Sequence, residues 1–163
     1  MIRVLIYSMA FSAFLIFPAV SQTFPGNGPE LQLSTGVNGV ATLFPDTKPI
    51  SGGDLLTVEI DHLNLNPIGF AFFLVAELRF NTPTSAMGPA PGAWVASGSG
   101  STIAIFDSTV LLGPPTLPLG GITFAWQLPP SIISGLHVIL QAVVVAPNAP
   151  NFVYLSNAQE LLF

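Results

Sequence analysis

Residues 136–146 read LHVILQAVVVA, and the fold depends on how that run is interpreted. Eleven residues are too few for a bilayer-spanning helix, which needs about 20. In an extended chain, Leu136, Val138, Leu140, Ala142 and Val144 fall on one face, and His137, Ile139, Gln141, Val143 and Val145 on the other. β-Branched residues dominate, and Gly135 and Pro147 bound the run, which argues strand over helix. A strand apolar on both faces belongs in the middle of a sheet, one face in the main core and the other beneath a loop or neighbouring element. Gln141 is the polar exception, and a buried amide left without partners costs about 1–3 kcal/mol. The expected partners are backbone groups of a crossing loop containing GPAPGAW (88–94). The rival reading makes Gln141 a ligand contact at the floor of a cleft.

Working outward, other short runs have the same character. DLLTVEIDHL (54–63) alternates Leu56, Val58 and Ile60 with Thr57, Glu59 and Asp61, as a half-buried antiparallel strand does. ELQLST places Leu31 and Leu33 on one face. GFAFFLVAELRF starts apolar on both faces and resolves to Ala76 and Leu78 against Glu77 and Arg79. GITFAWQL alternates Ile122, Phe124, Trp126 and Leu128 with polar or small residues, which places Phe124 and Trp126 in the core. AWVAS, STIAIF, STVLLG, FVYLS and AQELLF are shorter candidates. The clustered 16 prolines and 15 glycines mark turns between them. Eight to ten strands without a sustained 3.6-residue period predict an all-β antiparallel β-sandwich, jelly-roll or immunoglobulin-like. Residues 81–101 (NTPTSAMGPAPGAWVASGSGS) are expected to cross between sheets.

The N-terminus has the pattern of an export signal. Arg3 forms a short positive region, Val4 to Phe17 an apolar one, and Ala19 and Ser21 fit the small-residue positions before a cleavage at Gln22. Residues 1–21 are thus expected to be a signal peptide, with an uncleaved anchor as the alternative, and 22–163 a single domain. No cysteine is present, which removes thiol nucleophiles, thiolate metal sites and disulfide staples. Half the residues are hydrophobic and 7% are charged, the reverse of a disordered chain. After the leader, Lys48 and Arg79 face eight acidic residues, so nucleic-acid binding and docking on an anionic membrane are disfavoured.

The stretches LQLSTGVNG, GGDLLTVEI, GLHVILQAVVV and LSNAQELLF resemble landmarks of small exported bacterial β-sandwich domains of unassigned function. The resemblance spans most of residues 22–163. It implies a sandwich and an exported life, and it supplies no catalytic residues.

Chemistry is sparse. No Gly-x-Ser-x-Gly nucleophile elbow occurs, and SGSGS (97–101) has its residues out of register for one. EIDHLNLN groups Glu59, Asp61, Asn64 and Asn66, an oxygen-rich set suited to calcium but lacking the glycine and terminal glutamate of a calcium loop. The plain reading is a solvated strand face followed by an Asn-rich turn. His62 and His137 lie 75 positions apart, with no spacing that joins them. Asp61 with Glu77 is one of several carboxylate pairs a glycosidase could draw on. Trp94 is the candidate sugar platform, against simple loop packing. No cofactor is implied.

The leading expectation is a non-enzymatic exported module, secreted, at the cell surface or periplasmic, acting on an unidentified protein or glycan partner. The alternative is a carbohydrate-binding or hydrolytic domain using Trp94 and the Glu59–Asn66 cluster. An outer-membrane barrel fits less well, because strands apolar on both faces do not alternate lipid-facing with lumen-facing residues.

Overall fold

A computed structural model describes residues 30–44, 46–80, 93, 95, 101–109, 115–148 and 153–163. Among these the chain is all-β, with no helix. Nine strands follow in order: β1 (Leu31–Val37), β2 (Val40–Thr42), β3 (Thr47–Pro49), β4 (Leu55–His62), β5 (Ala71–Phe80), β6 (Ser101–Asp107), β7 (Ile122–Gln127), β8 (Leu136–Val145) and β9 (Val153–Leu162). A four-stranded sheet has the order β2-β1-β4-β7 and a five-stranded sheet the order β3-β9-β8-β5-β6. The second is mixed, because β3 runs parallel to β9 while its other pairs are antiparallel. The mixed sheet curls into a half-barrel.

The decisive run behaves as its composition demands. β8 is the middle strand of five, with Val138, Leu140, Ala142 and Val144 in the main core and Ile139 and Val143 in a second cluster on the opposite face. The main core draws Leu31, Leu33, Val58 and Ile60 from one sheet and Phe72, Leu74, Leu140 and Leu161 from the other. Inside it, Phe72 stacks on Phe106 with ring centroids 5.2 Å apart. Val95, nearly fully buried, belongs to the second cluster with Val75, Ile139, Val143 and Ala158. Val95 thus packs against Ile139 and Val143 on the outer face of β8, a face whose apolar side chains require cover.

The β1–β2 hairpin turns on Asn38 and Gly39, at φ of 58° and 103°. Asn-Gly is the pair that tolerates left-handed backbone at both positions of a two-residue hairpin. Asn38 then ties the turn to β4: its amide group donates to Asp54 Oδ1 and its Oδ1 accepts the Leu55 N–H.

Several expectations are corrected. The 81–101 segment does not cross between sheets: its flanking strands β5 and β6 are antiparallel neighbours in the same sheet. The two expected closing strands are joined in one, β9 (Val153–Leu162), with a bulge where Gln141 and Val143 of β8 oppose Ala158 and Leu155. Ser108 and Thr109 make a turn, so STVLLG does not begin as a strand, and Ala93 and Val95 of AWVAS lie outside any strand. Phe124 and Trp126 are half-buried, packed against the core from β7, which is the edge strand of its sheet among the described residues. Glu77 and Arg79, on the face opposite Ala76 and Leu78, are buried as well.

Candidate functional site

Two places gather polar side chains. The first lies on the outer face of the four-stranded sheet, where the two-residue period of β4 turns Glu59 and Asp61 the same way. Register sets Gln32 opposite Asp61 and Ser34 opposite Glu59. Ser34 Oγ donates to Glu59 Oε2 at 3.4 Å. With Ala41 and Leu43 these four residues line a shallow, open concavity of about 220 Å³.

Asn64 and Asn66 do not line that concavity; they organise the turn after β4. Asn64 Oδ1 accepts the Asn66 N–H at 2.9 Å, and the Asn66 amide donates to Glu30 Oε1 at 3.4 Å. Asp61 Oδ1 accepts the N–H of His62. The expected calcium set is thus placed as two carboxylates on a strand face and two amides in a turn. Among the described residues no group of three or more His, Cys, Asp or Glu side chains is positioned around a metal site.

The remaining candidates have separate places. Trp94 lies outside the described residues. Gln141 is fully buried, and its Nε2 donates to the Ser156 carbonyl at 2.8 Å across the β8–β9 bulge. Its described partner is therefore on the neighbouring strand. His62 reaches Leu119 C=O through Nε2 at 2.6 Å, clipping the end of β4 to the 117–121 turn. His137 sits in the other sheet, its Nδ1 3.1 Å from Glu160 Oε1. Asp61 and Glu77 occupy the outer faces of different sheets and form no carboxylate pair.

The second polar place is internal, at the seam where β1 and β2 approach β3 and β9, and the sequence reading missed it. Asn157 spans the seam as if it were backbone: its Oδ1 accepts the Leu33 N–H at 2.8 Å and its Nδ2 donates to the Leu33 carbonyl at 2.9 Å. Two residues on, Gln159 points the same way and is fully buried. Gln159 Oε1 accepts from Thr35 Oγ1 at 2.9 Å and from Lys48 Nζ at 2.7 Å. Lys48, 5% exposed, also donates to Thr35 Oγ1 and to the Thr42 carbonyl. Burial pushes the Lys48 ammonium below its usual range, partly offset by the Asp46 charge. Burial likewise raises the Asp46 carboxyl, against the opposing pull of Lys48 and of hydrogen bonding from Gln159. Asp46 Oδ1 is buried with no hydrogen-bond partner. The alternation of Asn157 and Gln159 in SNAQE was the available signal, hidden because Asn reads as a turn residue.

Compared with known protein families, curated proteins and solved structures, the chain has no match.

Proposed function

We propose that this chain is an exported, non-enzymatic β-sandwich module with a structural or interaction role at or outside the cell surface, the periplasm included. In this reading residues 1–21 are a cleaved signal and 22–163 one domain whose two sheets face each other across the shared core. The carrying observation is where the reactive side chains go. Lys48, Gln159, Thr35, Asn157, Glu77, Arg79 and Gln141 are all buried, with described partners on their own strand, on a neighbouring strand or, at the seam, on the other sheet. These groups hold strands together. The charge distribution supports the same reading: Lys48 and Arg79, the basic residues among those described, are both buried, so the described surface carries no Lys or Arg and offers nothing to a polyanion. No helix among the described residues is long and apolar enough to cross a membrane.

The test uses the mature chain, purified from the exported fraction. Expected are an N-terminus at or within a few residues of Gln22, no turnover across ester, glycoside and peptide substrates, and no glycan-array binding. Glycan binding abolished by Trp94→Ala would transfer the chain to the carbohydrate-binding class, and measured turnover would make it a hydrolase.

A further inference from the structure

At the internal seam a buried amine, carboxamide and hydroxyl and a carboxyl group with one buried oxygen come together from three segments of the fold: Lys48 and Asp46 from β3 and the residue before it, Gln159 from β9 and Thr35 from β1. Lys48 Nζ stands 2.7 Å from Gln159 Oε1. The carboxamide carbon lies one C=O bond, about 1.2 Å, from that oxygen, so the amine is at most about 4 Å from it. Productive attack needs roughly 3–3.5 Å, a displacement within the reach of a lysine side chain. Thr35 Oγ1 already donates to the same oxygen, the atom on which negative charge would develop during attack. Asp46 carries the buried, unpartnered carboxyl oxygen beside this group.

We propose that Lys48 and Gln159 become joined by an intramolecular amide bond, formed within the folded chain without a cofactor. The neutral Lys48 amine adds to the Gln159 carboxamide carbon, and the carbonyl electron pair moves onto Oε1, where the Thr35 hydroxyl stabilises it. Asp46, as the carboxylic acid, donates a proton to the departing Nε2 and then takes one from Nζ. The carbon–nitrogen bond of the carboxamide breaks, the carbonyl re-forms, and one ammonia leaves. Atoms and charge balance, and no oxidant is required. Burial favours the states this needs, an uncharged amine and a protonated carboxyl. The product would link β3 to β9 across 111 positions of sequence, a covalent staple in a chain without cysteine. This inference goes beyond the functional reading above and stands without it.

The experiment is fragment mass spectrometry of the purified exported chain after digestion at acidic and aromatic residues. The expected result is a single species in which the peptide containing Lys48 is bonded to the peptide containing Gln159, short of one ammonia. Intact mass alone does not suffice, because an N-terminal Gln22 can cyclise with the same loss. An ammonia loss that maps to Gln22, or separate Lys48 and Gln159 peptides of full mass, overturns the proposal. A hydroxylamine-labile link from Gln159 to Thr35 also overturns it, making the hydroxyl the nucleophile. In folded Asp46→Ala the bond should form at least tenfold more slowly after refolding, whereas an unchanged rate removes Asp46 from the reaction.

Discussion

Asn157 shows how one side chain sets how the two sheets meet. Its carboxamide offers a donor and an acceptor in the geometry of a peptide group, so it completes the backbone pairing of Leu33 where β9 does not. Asn157→Ala leaves the Leu33 N–H and C=O buried without those partners. The expected loss is about 2–4 kcal/mol, read as a lower urea midpoint with unchanged slope. A loss below about 0.5 kcal/mol would mean that water or a backbone shift replaces the amide. Gln141 acts on a neighbouring bond. Gln141→Leu removes the donor to Ser156 C=O at the β9 bulge, where Ser156 Oγ also accepts the Ala142 N–H. Hydrogen exchange is expected to accelerate at 153–158, with a stability cost of about 1–3 kcal/mol. Faster exchange confined to 81–101 would instead return Gln141 to the role of loop anchor.

At the scale of elements, the legible strands are those whose period carries the information. β4 and β8 were readable because their side chains meet surroundings that differ, or agree, face by face over eight and ten residues. β2 and β3 span three residues each, too short for any period, and β3 ends in a proline that only an edge strand tolerates. β5 misled for another reason. Its Glu77 and Arg79 alternate with apolar residues as a solvated face would, yet they pair at 2.9 Å beneath a covered surface. What covers that face comes from residues distant in sequence, which local alternation cannot register. The surface concavity was half legible: the period of β4 put Glu59 and Asp61 together, while Gln32 and Ser34 joined them through strand register. Glu77→Ala takes from buried Arg79 the carboxylate it pairs with and is expected to cost about 3–5 kcal/mol. Replacing both, as Glu77→Leu with Arg79→Met, should recover most of that loss in the same unfolding assay. If the double variant is as unstable as the single one, the pair is holding something beyond itself.

For the whole molecule, the question is whether the two sheets are one cooperative unit. Leu33, Val58 and Ile60 share a core with Leu74, Leu140 and Leu161, so separating the sheets would expose the apolar face of each. Each sheet alone would have to persist on a small chain segment without disulfides, near the size at which a single core becomes marginal. The seam adds polar bonds between β1 and β9 that have no meaning in either sheet by itself. Native-state hydrogen exchange checks this directly, because slow amides report the free energy of the opening that releases them. The amides of β4 and of β8, central in their respective sheets, are expected to exchange with the same free energy, equal to that of global unfolding. Added Asn157→Ala should lower both by the same amount, since it weakens the junction they share. A gap above about 2 kcal/mol between β4 and β8, or a shift confined to one of them, would show that one sheet opens while the other stays folded. The shared core would then be a contact between two subunits of structure, each with its own stability.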